Sequence, residues 1–70
     1  MTSQEIGARI REARIEKGYT QKAFAEAIGV TGGSSDAFVR MVESGRRFPP
    51  YDRLRTIALV LGLSLYDLVP

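Results

Sequence analysis

The sequence predicts an all-helical (all-α) domain, and three features of the chain support this fold class. Glycine or proline interrupts the chain repeatedly and leaves five segments of helical length. Apolar residues recur within these segments three or four positions apart, which is the spacing of residues on one helix face. No segment alternates polar and apolar residues with the β-branched enrichment of a strand. We therefore expect one compact domain of five helices that covers residues 1–70.

The first two helices carry clear start and stop signals. Thr2 is expected to cap the first helix, with Glu5 completing a capping box and Gly18 ending the helix. Thr20 is expected to cap a shorter second helix, which Gly29 ends. The residues expected to face the core from these helices are Ile6, Ile10, Ala13, Phe24, Ala25 and Ile28.

The third segment, residues 35–44, has two distinct faces when successive residues are placed about 100° apart around a helix axis. Phe38, Val39 and Val42 then cluster on the core side. The residues on or beside the opposite face are Asp36, Ala37, Arg40 and Ser44, with Met41 near one edge and Glu43 at the boundary of the apolar stripe. A binding partner would meet this outer face.

Two further signals define the C-terminal part of the chain. A fourth helix over about residues 51–61 is expected to end at Gly62, because glycine readily adopts the left-handed conformation that follows many helices. Ser64 and Asp67 have the spacing of a second capping box and predict a final single turn. The residues expected to face the core here are Leu54, Ile57, Ala58, Leu61, Leu65 and Leu68.

Several apolar residues remain once this core is filled. They are Ile15, Leu59, Val60, Leu63 and Val69. Single exposed aliphatic residues are common, but a group near the C-terminus can form an interface between two copies of a chain. A homodimer through these C-terminal apolar residues is therefore one expectation.

The composition excludes several classes of function. The chain has no cysteine and no histidine, so it offers no thiol nucleophile, no imidazole base and only oxygen ligands for a metal. We therefore expect neither an enzyme nor a cofactor or metal site. The chain has no run of about 18 apolar residues that would span a membrane, and a cytoplasmic location is the default expectation. A net charge of +2, with arginine as most of the cations, is compatible with a polyanionic partner.

Two segments of the sequence are more specific. They are RIEKGYTQ at residues 14–21, before the second helix, and ESGRRFP at residues 43–49, after the third. Together with Gly29 and the apolar spacing of the later helices, they resemble the phage repressor and Cro (Xre-type) family of helix-turn-helix DNA-binding domains over nearly the whole chain. The resemblance implies a repressor-like domain in which the second and third helices form the helix-turn-helix, with the third helix in the major groove of double-stranded DNA.

The resemblance also places base-reading positions on the third helix. These positions are Asp36, Ala37, Arg40 and Met41. Arg40 alone has the fork that pairs with guanine, while Ala37 suits a thymine methyl group and Asp36 an amino group of cytosine. Two other roles stay open, because Asp36 can stabilise the first turn of its own helix and Arg40 can be an ordinary solvated charge.

Phosphate contacts are implied on both sides of the third helix. Gln21 matches a family position that contacts phosphate from the start of the second helix. The adjacent Lys22 is a further candidate for phosphate contact. Arg46 and Arg47 match the basic loop that holds the sugar-phosphate backbone, although they can also complement the dipole at the end of the third helix. Arg14 and Glu43 resemble the family's interior ion pair, which we assign a structural role.

The turn between the second and third helices departs from the family pattern. It is about four residues longer, and residues 32–35 are the surplus. Ser34 and Ser35 are candidates for phosphate contact there, since such a turn can offer backbone N–H groups to a phosphate. A tolerated surface insertion is the alternative, because lengthening a loop changes its closure entropy little.

These features predict a sequence-specific, repressor-like transcriptional regulator. The alternative is a protein-interaction module on the same scaffold, such as an antitoxin or a repressor-binding partner, with weak or no DNA reading. A continuous positive band from Gln21 to Arg47 favours DNA, whereas an acidic or neutral outer face of the third helix favours a protein partner.

Overall fold

A computed structural model describes residues 1–69. It contains four α-helices and a final 3-10 turn, namely α1 (Ser3–Glu16), α2 (Gln21–Ala27), α3 (Ser35–Glu43), α4 (Tyr51–Leu61) and the turn Leu65–Leu68. No strand occurs in these residues, so the all-helical class is confirmed. The fifth predicted segment is a single 3-10 turn rather than a further α-helix. Within the same range, no helix combines the length and apolar character needed to cross a membrane.

The predicted capping boxes are present at both ends of the chain. The Thr2 hydroxyl accepts from the Glu5 N–H at 3.1 Å, and the Thr2 N–H donates to the Glu5 carboxylate at 2.8 Å. The second of these bonds lowers the pKa of Glu5 below its ordinary value, so the capping box contributes stability above that ordinary pKa and loses it as the pH falls through the lowered one. The Ser64 N–H likewise donates to Asp67 at 3.0 Å.

The core lies between α1, α3 and α4, with α2 packed against α3 and the final turn closing against α1 and α4. Every residue that the sequence assigns to the core of α1, α2 and α4 is buried, as are Val39 and Val42 of α3 and Leu68 of the final turn. Leu65 is partly buried against this core. Phe38 differs from the prediction, because it is only half-buried and lies at the edge of the core.

Gly7 allows α1 and the C-terminal end of α3 to come into backbone contact. A Cβ atom at this position would lie 2.6 Å from the Glu43 carbonyl oxygen and closer still to that of Val42. Both obstacles are backbone atoms, which cannot rotate away as a side chain can. The absence of a side chain at Gly7 therefore sets the distance between the two helices and positions α3.

Gly45 sets the direction of the chain as it leaves α3. Its φ of +83° lies in the left-handed region that disfavours side chains. A Cβ there would also lie 2.8 Å from the Cα of Gln4 in α1. The loop that carries Arg46 and Arg47 therefore begins at a position where both the backbone conformation and the close packing require glycine.

Candidate nucleic-acid interface

One face of α3 is open to solvent. Arg40, Met41 and Ser44 are exposed on it, and Asp36 and Ala37 are half-buried at its N-terminal end. We call these five residues the α3 outer face. The opposite side of the helix is buried in the core through Val39, Val42 and Glu43. The four candidate base-reading residues therefore share one accessible helical surface.

Asp36 and Arg40 contact each other on this face. The Arg40 guanidinium donates from Nη1 to Oδ2 of Asp36 at 3.2 Å, one helical turn away. Arg40 is the more exposed partner, with an exposed side-chain fraction of 61% against 43% for the half-buried Asp36. The centre of the α3 outer face is therefore close to neutral, and its charge is concentrated at one acceptor and one donor group.

Arg14 and Glu43 form a buried ion pair between α1 and α3. Arg14 Nε lies 2.5 Å from Glu43 Oε2 and Nη2 lies 3.1 Å from Oε1, which makes the contact bidentate. Each residue is only 8% exposed. Arg14 Nη1 also donates to the Tyr19 carbonyl oxygen at 2.8 Å. The pair therefore joins the end of α1, the start of α2 and the end of α3.

Gln21 extends this network towards the surface. Its side-chain Nε2 donates to Glu43 Oε1 at 3.2 Å, and the residue is half-buried. One amide hydrogen is thus directed inward, which leaves the second available to an external acceptor. Lys22 is exposed beside it on α2. Sequence reasoning placed Gln21 at the interface but did not foresee its bond to Glu43.

The connection between α2 and α3 places the two serine candidates differently. Ser34 is exposed and precedes α3, and its side chain makes no capping hydrogen bond. Ser35 is the first residue of α3 rather than part of the turn, and it is 5% exposed. A phosphate would not reach this buried side chain, but the predicted contact involves backbone N–H groups of the turn, so phosphate contact at Ser34 and Ser35 stays a prediction.

The loop after α3 is anchored and basic. The backbone N–H groups of Arg46 and Arg47 both donate to the Met41 carbonyl oxygen, at 3.0 and 3.2 Å. Both arginines are exposed. The Arg47 guanidinium carbon lies 4.9 Å from the centre of the Phe38 ring, a cation–π contact that holds the side chain beside α3.

Arg53 of α4 approaches the same ring, which the sequence did not indicate. Its guanidinium carbon lies 5.7 Å from the centre of the Phe38 ring, and Nη1 donates to the Ile28 carbonyl oxygen at 2.8 Å. Within residues 1–69, Arg46, Arg47 and Arg53 form no ion pair. In the sequence, the only indication of this contact between Phe38 and the two arginines was the position of Phe38 at the edge of the α3 apolar stripe, next to Met41.

The comparisons with known proteins agree with this architecture. A family model described as helix-turn-helix matches residues 10–68. A relative from Bacillus subtilis (strain 168), named uncharacterized HTH-type transcriptional regulator YazB, is 37% identical over 70 residues, which are 100% of this chain and 96% of the relative. No solved structure matches the chain. The family match and the relative confirm the resemblance found in the sequence, and the chain belongs to the helix-turn-helix family.

Proposed function

We propose that residues 1–70 form one DNA-binding domain of a transcriptional regulator. In this proposal α2 and α3 form the helix-turn-helix unit, and α3 enters the major groove of double-stranded DNA. Family membership and the name of the Bacillus relative support the class of function. The observation that carries the proposal is the α3 outer face, an accessible helical surface with hydrogen-bond donors along both of its edges.

The two edges of this face are chemically suited to two DNA strands. At one edge, Glu43 connects α3 to Gln21 at the start of α2. At the other edge, about 220° away across the α3 outer face, the Phe38 ring contacts Arg47 and Arg53. The major groove is about 12 Å wide and admits one α-helix between two phosphate backbones. Donors on both sides of α3 can therefore contact both strands while the helix faces the bases.

The residues divide into two roles under this proposal. Phosphate contacts fall to the polar and cationic groups around α3, because such contacts position a protein without reading sequence. These groups are Gln21, Lys22, the Ser34 turn, Arg46, Arg47 and Arg53. Base contacts fall to Asp36, Ala37, Arg40 and Met41 on the α3 outer face.

Replacing single arginines with alanine separates these roles. We expect Arg46→Ala to weaken binding to all duplexes by about five-fold, because it removes a phosphate contact. Arg40→Ala is expected to reduce the preference between duplexes instead. Arg55 is the matched control, because it is also an exposed arginine. It lies on the side of α4 that is about 160° from the proposed phosphate contact Arg53. Fluorescence anisotropy with labelled duplexes checks the result, and an equal loss for Arg46→Ala and Arg55→Ala would contradict the assignment.

We also propose that two copies bind paired half-sites. Leu59 is 82% exposed, and Ile15 and Val69 are exposed as well, whereas Val60 and Leu63 are partly buried against the core. Leu59 is therefore the strongest candidate for a homodimer contact. Duplexes selected from a random pool should then contain inverted repeats about one helical turn, 34 Å, apart.

A protein-interaction role is the second candidate function. The near-neutral Asp36–Arg40 pair and the 38% exposure of Met41 favour it, since charge at the centre of a protein interface is usually depleted. Arg46, Arg47 and Arg53, which form no ion pair with any residue of the described range 1–69, favour DNA instead. Failure to bind any duplex at low salt would shift the assignment to this second candidate.

A further inference from the structure

The Asp36–Arg40 pair leaves most of its hydrogen-bonding capacity unused. Only Arg40 Nη1 and Asp36 Oδ2 engage each other. Among the residues that the structure describes, Oδ1 of Asp36 and the other N–H groups of Arg40 have no side-chain or backbone partner. Both side chains project from one face because residues four positions apart are neighbours on a helix. A donor fork and a single acceptor are thus held side by side towards the proposed DNA.

We propose that Asp36 and Arg40 act as one reading unit for two neighbouring base pairs. Arg40 pairs with guanine through the donors that Asp36 leaves free. Asp36 accepts at Oδ1 from the amino group of cytosine or adenine in the adjacent pair. This inference rests on the proposed function and adds the class of sequence that the site selects, with Asp36 as a residue that determines specificity.

The pair holds its two free groups close together. The hydrogen bond between the side chains is 3.2 Å long, so the guanidinium and the carboxylate are direct neighbours. Successive bases on one strand are about 3.4 Å apart, and two neighbouring groups can contact two successive positions. The bond to Asp36 also restrains the long Arg40 side chain before binding, so less conformational entropy is lost when it meets guanine.

The Asp36 carboxylate allows the pair to discriminate against particular bases. In the groove, Asp36 loses water, and a charged oxygen without a donor is strongly unfavourable there. Guanine and thymine present acceptors in the major groove, whereas cytosine and adenine present an amino donor. Asp36 should therefore reject guanine and thymine at its position. It should also repel phosphates and so lower the affinity for unrelated DNA.

The test is selection of bound duplexes from a random pool with three forms of the full chain. The wild type should enrich guanine next to cytosine or adenine. Asp36→Asn should retain guanine but shift the neighbouring preference from cytosine towards adenine by about tenfold, because an asparagine amide pairs bidentately with adenine, while its affinity for unselected duplexes rises about two- to three-fold. Glu12→Gln is the control, because it removes one exposed negative charge from the side of α1 that lies about 140° from Gly7. It should leave both base preferences unchanged.

A second variant tests the donor fork. Arg40→Met removes every donor of the fork and keeps a long side chain, so it should lose the guanine preference. Unchanged preferences in Asp36→Asn would overturn the inference, as would a wild-type motif that lacks guanine or has guanine or thymine at the Asp36 position. Equal binding to all duplexes would overturn it while leaving the DNA-binding proposal intact. Absence of binding to any duplex would overturn both.

Discussion

Replacing Arg14 with methionine is expected to lower the free energy of unfolding by about 3 to 5 kcal/mol. The reason is that Glu43 would remain buried with its charge but without its bidentate partner. A domain of this length has a total free energy of unfolding of about 3.5 to 10 kcal/mol, so the loss is a large part of its stability. Urea unfolding followed by circular dichroism measures it.

The double variant separates the effect of charge from that of packing. Arg14→Met combined with Glu43→Leu removes both charges and should recover most of the loss, because buried ion pairs replaced by apolar residues are often neutral in stability. Arg40→Met is the control on the exposed pair and should change stability by about 0.5 kcal/mol or less. A double variant less stable than either single variant would show that the pair itself stabilises the fold.

Gly7→Ala is expected to lower the free energy of unfolding by about 3 kcal/mol. Alanine favours a helix interior by about 1 kcal/mol over glycine, but here its Cβ would meet the backbone carbonyl groups of Val42 and Glu43. The midpoint of thermal unfolding should fall by about 12 to 24 °C. Gly33→Ala is the matched control, because a Cβ at Gly33 meets no atom within 4 Å.

The Gly7→Ala result also tests how α3 is positioned. Gly33→Ala should leave the unfolding midpoint close to that of the wild type, or raise it slightly by restricting the unfolded chain. If Gly7→Ala unfolds at the same temperature as Gly33→Ala, then α1 and α3 do not make the close backbone contact described above.

Local features of the fold followed directly from the sequence. The capping boxes at Thr2 and Ser64 depend on residues three positions apart, and the helical faces depend on a spacing of three or four. Each signal is therefore complete within one or two turns. For the same reason, the sequence correctly predicted which residues lie on the α3 outer face.

Contacts between segments that are far apart in the sequence were harder to predict from it. Gly7 appeared only as a glycine inside a helix, and its role depends on backbone atoms of α3 that lie far along the chain. The Arg53 side chain reaches Phe38 and Ile28 from α4, although both lie far from it along the chain. Gln21 reaches Glu43 in the same way. The i, i+4 spacing of Asp36 and Arg40 was visible in the sequence, but it was interpreted as two independent base contacts.

The salt dependence of binding to unselected duplex DNA tests the central claim most directly. If α3 lies in the groove with its flanking groups on about four phosphates per subunit, a plot of the logarithm of affinity against that of salt concentration should have a slope of about −3.6. Arg46→Ala should make this slope shallower by about 0.9, whereas Arg55→Ala should not change it. An affinity that does not vary with salt, or no complex at low salt, would contradict the account.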